Sequence, residues 1–236
     1  MSDEMTLSEK LEQSTAKCLA MDAPLAARLM TFAQDVRRYS PQFAEIVDRL
    51  VARLKKSGAG EATPRPGEPM PLFLLPDQSG RLVALADLLE DGPVVVSFHR
   101  GHWCPYCRIS ADALARIEGE LRQLGASVVA ITPNLEQFNT SLQSDVRAGF
   151  PILTDLDNGY ALQLDLAFRV PDEKRIAMTE SGWDISPYQG SDAWLLPIPA
   201  TFVVGRDGMI RARFVDPDYR KRAAIEDLVA AIAPGA

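Results

Sequence analysis

The chain has 236 residues, 47% of them hydrophobic, enough to bury a substantial core as one large domain or as one domain with an appendage. A formal net charge of −7 argues against unguided binding to nucleic acid or to an anionic membrane, both of which select a positive surface. No apolar run reaches the length of about 18 residues that a membrane span needs, and the polar opening Met1-Ser2-Asp3-Glu4-Met5 lacks the parts of a signal peptide, so the chain reads as cytoplasmic.

In chain order, Leu25, Leu29, Phe32 and Val36 fall at helical spacing, as do Phe43, Val47, Leu50 and Leu54. Ser40-Pro41 fits an N-cap followed by proline at the first helical position, and Gly58 stands where the second helix would stop. Residues 1–57 are therefore expected to form a helical N-terminal extension, whose apolar stripes suit packing on the main domain or across a homodimer. Gly58, Gly60, Pro64, Pro66, Gly67, Pro69 and Pro71 mark 58–71 as a linker. The remainder, 72–236, opens with a hairpin around Asp77-Gln78-Ser79-Gly80.

An alternation of strand and helix follows. The expected elements are a strand at Val94–Phe98, a helix from about Cys104 to Leu124, and a strand at Val128–Ile131. Next come a helix capped by Asn134, a short strand at Phe150–Leu153 and a helical piece at Asp157–Asp165. Pro171–Leu196 reads as an irregular excursion whose aromatics Trp183, Tyr188 and Trp194 are placed to cover a site. A second hairpin turns at Gly205-Arg206-Asp207-Gly208, and Tyr219–Ile232 reads as a closing helix. This order implies an α/β fold, a central mixed sheet flanked by helices, in a thioredoxin-like arrangement.

Three cysteines are too few and too odd in number for a secreted disulfide framework, so they point to chemistry. Two of them, Cys104 and Cys107, lie one helical turn apart where the strand Val94–Phe98 becomes a helix. Residues three apart on a helix share a face, with Cβ atoms roughly 5–6 Å apart, so the two sulfurs can form and break a disulfide. The first turn of a helix favours an anion, and His99, Arg100, His102 and Arg108 make the surroundings basic, which favours thiolate over thiol.

Phe98 through Cys107, Gly125-Ala126, Pro199-Ala200-Thr201-Phe202-Val203-Val204 and Val215-Asp216-Pro217-Asp218-Tyr219 together resemble the peroxiredoxin-like branch of the AhpC/TSA family, over roughly Pro66 to Ile232. The resemblance implies a thioredoxin-like fold and a thiol-dependent antioxidant oxidoreductase. It would reduce hydroperoxides or disulfides through a Cys104/Cys107 dithiol–disulfide cycle, with no cofactor and with electrons from a thioredoxin- or glutathione-type donor. It also implies that Pro199 is cis and faces the cysteine pair, with Thr201 beside it; Trp103, just before the first cysteine, reads equally as a packing aromatic or as a substrate platform. Counted as thioredoxin, Cys104 attacks and Cys107 resolves. Counted in the peroxiredoxin motif Pro-x-x-x-Thr-x-x-Cys, Arg100 stands in the proline's place, Cys104 in the threonine's, and Cys107 holds the attacking position. The downstream arginine that polarises peroxide in typical members has its approximate place taken by Pro199.

Other readings of the same residues are a non-enzymatic redox sensor that acts through the helical extension, and a metal site built from His99, His102, Cys104 and Cys107. Cys18, on a predicted helix without a partner motif, reads as an inert thiol or as a third, resolving one.

Overall fold

The computed structural model describes residues 5–232; the polar opening at 1–4 lies outside them. The N-terminal extension is three helices: α1 (Leu7–Ala20), α2 (Leu25–Tyr39) and α3 (Pro41–Lys56). A capping box at Thr6 and Glu9 starts α1. Proline at the first position starts α3; Ser40 occupies the N-cap position, but its side chain makes no capping bond. The apolar stripes of α1 and α2 meet in one cluster that includes Leu11, Cys18, Leu29, Phe32 and Val36.

The residues expected to form a linker are held in place. The Gly67 and Met70 N–H groups donate to the Ile210 and Gly208 carbonyls at 2.9 Å each, so this stretch lies along the second hairpin. Then follow β1 (Leu74–Pro76), β2 (Leu82–Ala84), α4 (Leu85–Asp91), β3 (Val94–Phe98), α5 (Pro105–Gln123), β4 (Ser127–Thr132), α6 (Glu136–Val146) and β5 (Ile152–Thr154). After a 3₁₀ turn at Leu156–Asn158 come α7 (Gly159–Gln163), β6 (Ala167–Arg169), α8 (Asp172–Glu180), α9 (Ser186–Gln189), β7 (Leu195–Pro197), β8 (Ala200–Val204), β9 (Ile210–Val215) and α10 (Ile225–Ile232).

The central sheet has the order β5-β4-β3-β8-β9, parallel through β5, β4 and β3 and antiparallel through β8 and β9. Its inner strands β3 and β4 are buried on both sides, which explains the near-continuous apolar runs at 94–98 and 128–131. Alternate residues serve opposite faces. Val94, Val96 and Phe98 pack with Leu85, Leu89 and Tyr160, whereas Val95, Val128 and Val203 pack under Leu114 and Leu121 of α5 and Leu228 of α10. The far side of α5 presents Tyr106, Ile109 and Ala113 to α1 and α2, so the extension lies directly over the start of α5. Arg28 of α2 locks that contact, since its buried guanidinium donates to the Cys18 carbonyl at 2.8 Å and pairs with Asp112 of α5.

Three expectations give way. The excursion at 171–196 contains two helices, α8 and α9, whose turns were hidden by the mixed polarity of Asp172–Glu180. Asn134 does not cap α6; Leu135 occupies the cap position, and the Asn134 side chain is used elsewhere. The last helix begins at Ile225, because Asp216 and Asp218 accept the backbone N–H groups of Asp218 and Arg220, which bends 216–220 away from a helix.

Candidate functional site

The strand-to-helix elbow after β3 builds the site. The His99 N–H continues the strand by donating to the Ile131 carbonyl at 2.8 Å. Gly101 then turns the chain at φ 128°, where a side chain would run into the Asn134 carboxamide. The Asn134 Oδ1 instead accepts the His102 N–H at 2.8 Å and ties the elbow to the end of β4. Cys104 is the N-cap of α5, and its carbonyl accepts the N–H groups of Cys107 at 2.9 Å and Arg108 at 3.1 Å. Cys107 therefore sits in the first helical turn. Both thiols are free and buried.

The two sulfurs have different surroundings. The Arg100 backbone N–H donates to the Cys107 Sγ at 3.2 Å, and the Arg222 Nη2 lies 3.7 Å from the same atom. Burial pushes the Cys107 thiol up, but the neighbouring Cys104 thiol and His99 ring, together with the Arg222 charge, outweigh it and hold Cys107 well below the ordinary thiol value. For Cys104, burial, the proton it shares with Cys107 and the charge on Cys107 all push upward, well above that value. The surroundings thus favour ionisation of Cys107 over that of Cys104. His99 is braced from behind: its Nε2 is 3.0 Å from the Ser97 Oγ, which in turn is 3.4 Å from the Thr201 Oγ1 on β8.

Cys104 opens onto a cavity of about 560 Å³ between the extension, α8 and the segment before α10. On its wall the Arg100 guanidinium carbon lies 3.9 Å from the centre of the Tyr219 ring and 4.9 Å from that of Trp103, a cation held between two aromatic faces. Trp183 lines the same cavity, whereas Tyr188 packs on Phe138 away from it.

Several residues singled out by sequence lie elsewhere. His102 and Arg108 do not reach a sulfur: the His102 Nε2 is 2.8 Å from Asp145, and Arg108 pairs with Glu12 at 2.7 Å. Pro199 is buried ahead of β8, no peptide bond among the described residues is cis, and Pro199 does not line the cavity. The expected cis bend is therefore replaced by an ordinary trans entry into the strand. Because His102 turns to Asp145 while His99 faces Cys107, the His/Cys quartet does not converge, and no metal-competent cluster of three or more such ligands occurs among the described residues. Cys18 is buried in α1, and burial pushes its thiol up. Arg222 and Lys174 were not singled out by sequence. The only trace of Arg222 is the short basic run Arg220-Lys221-Arg222, and Lys174 sits in a polar helix with no distinguishing pattern.

The AhpC/TSA family profile matches residues 66–213, more than half of the chain. The chain belongs to the AhpC/TSA family. A Mycobacterium tuberculosis protein provisionally named a peroxiredoxin is 31% identical over 97 residues, 41% of this chain and 63% of that relative. A second is 32% identical over 92 residues, 39% and 58%. This AhpC/TSA chain thus spans about three fifths of the length of the curated relatives it matches. Among solved structures it is similar to peroxidoxin BcpB of Mycobacterium tuberculosis, with a TM-score of 0.56 and 22% identity over 71% of this chain and 96% of that one. Peroxiredoxin 6 of Arenicola marina, as a cysteine-to-serine mutant, gives 0.58 and 18% over 72% of each chain. These likenesses establish the thioredoxin-like fold of this family member. The helices α1–α3 lie outside the family match.

Proposed function

We propose that this AhpC/TSA chain is a thiol peroxidase in which Cys107 attacks and Cys104 resolves. The observation that supports this reading is the convergence of the Arg100 N–H and the Arg222 guanidinium on the Cys107 sulfur, with His99 alongside. A thiolate there attacks the terminal oxygen of R–O–O–H; the S–O bond forms, the O–O bond breaks, and the leaving RO⁻ takes a proton, which the Cys104 thiol can supply. Cys107 is left as a sulfenic acid. The Cys104 thiolate then forms the disulfide and releases the oxygen as water after one further protonation. One external dithiol of thioredoxin type, or two thiols of glutathione type, restores both thiols by exchange, the two systems named for a yeast mitochondrial 1-Cys peroxiredoxin of similar fold.

A second reading has one observation in its favour: Cys104, not Cys107, lines the cavity. In that reading Cys104 attacks the disulfide of an outside partner and Cys107 resolves, as in thioredoxin.

Steady-state assays with hydrogen peroxide, cumene hydroperoxide and an insulin-type disulfide, each with a recycling dithiol, separate the possibilities. The expected result is consumption of many peroxide equivalents per chain. Arrest after one equivalent would instead mark a redox sensor, and turnover of the disulfide alone would favour attack by Cys104.

A further inference from the structure

The cavity over Cys104 has an unusual polarity for a protein of net charge −7. Among the described residues its walls carry Arg37, Arg100, Lys174, Arg220, Lys221 and Arg222 and not one Asp or Glu; Arg37, Arg220 and Lys221 pair with Asp48, Asp218 and Asp216 outside the lining, which leaves Arg100, Lys174 and Arg222 without a carboxylate partner among those residues. The rest of the lining is mostly apolar, with Leu29, Phe32 and Val47 from α2 and α3 facing Met178 and Trp183.

The cations at its inner end are also short of acceptors. Lys174 is 3% exposed, its Nζ has no hydrogen-bond partner among the described residues, and it rests 3.3 Å from the centre of the Phe43 ring. The Arg100 Nε, the Trp103 Nε1 and the Arg222 Nε are likewise buried without a partner. All four are donors, and all four belong to residues that line this one cavity. Buried donors are nearly always satisfied, and a buried ammonium without a counter-charge is costly, so this arrangement calls for an acceptor from outside the chain. Burial pushes the Lys174 ammonium well below its ordinary value, with Arg100 adding to the push, and an anion beside it would oppose both effects.

We propose that the cavity binds an anionic amphiphile, a carboxylate with an aliphatic tail. The carboxylate lies among Lys174, Arg100 and Arg222, and the tail lies between α2, α3 and Met178. The volume, about 560 Å³, falls within the range of pockets that enclose small organic ligands.

Laurate and dodecanol, which share a tail and differ in charge, are the probes, with Trp103 and Trp183 reporting by fluorescence on the full reduced chain. The wild type is expected to bind laurate at 1:1 and at least about ten-fold more tightly than dodecanol, the scale of a charge-assisted hydrogen bond. Lys174→Met is expected to remove that preference while dodecanol still binds. Equal affinity for the two probes, or no binding of laurate, overturns the site, and the wild-type ratio needs no variant to fold.

Discussion

Cys107→Ser is expected to abolish hydroperoxide consumption, by roughly a thousand-fold or more, as loss of a covalent nucleophile does. Cys104→Ser is expected to behave differently. A serine hydroxyl at 104 can still donate to the Cys107 sulfur, and the Arg100 N–H and Arg222 contacts are untouched, so the first oxidation persists within about ten-fold of wild type. What that variant loses is the internal disulfide. Its turnover then depends on an external thiol that attacks the sulfenic acid directly. Stopped-flow peroxide consumption for the first step, set beside steady-state turnover with a dithiol, separates the two variants. Equal loss of the first step in both would mean that the sulfurs act only as a unit.

Arg222→Met is expected to slow the first step at neutral pH by about ten-fold, the effect of losing one charge-assisted interaction with a thiolate. The sign follows from the direction of the shift. Arg222 helps hold Cys107 below the ordinary thiol value, so its removal raises the Cys107 value and lowers the thiolate fraction at neutral pH. Raising the pH through the ordinary thiol range restores the thiolate and should recover most of the rate. The wild-type rate should stay flat over the same interval and fall only well below it. A variant slowed equally at every pH would assign Arg222 to peroxide positioning rather than to ionisation.

Local signals carried a large part of this architecture. The strand Val94–Phe98, the glycine turn and the Cys-x-x-Cys pair are contiguous, so their geometry follows from a short stretch of chain. The β8–β9 hairpin is announced in the same way by Gly205-Arg206-Asp207-Gly208. Features that depend on distant contacts were hidden. Arg222 reaches Cys107 across 115 positions of sequence, only because the chain stays irregular until Ile225. Lys174 is drawn into the cavity by Phe43 on α3. The basic residues nearest the cysteines in sequence, His102 and Arg108, point outward to Asp145 and Glu12, since neighbours on a turn and on a helix diverge to different faces. Pro199 shows the limit of carrying over a family pattern, because the bend expected there is absent.

The identity of the attacking sulfur is best tested by mass spectrometry. Each single-cysteine variant is treated with one equivalent of hydrogen peroxide in the presence of dimedone, and the adduct is located by peptide mapping. Rapid labelling of Cys107 in Cys104→Ser, with Cys107→Ser left unlabelled on the same timescale, is the predicted result. Rapid labelling of Cys104 in Cys107→Ser, with no adduct on Cys107 in Cys104→Ser, would contradict it.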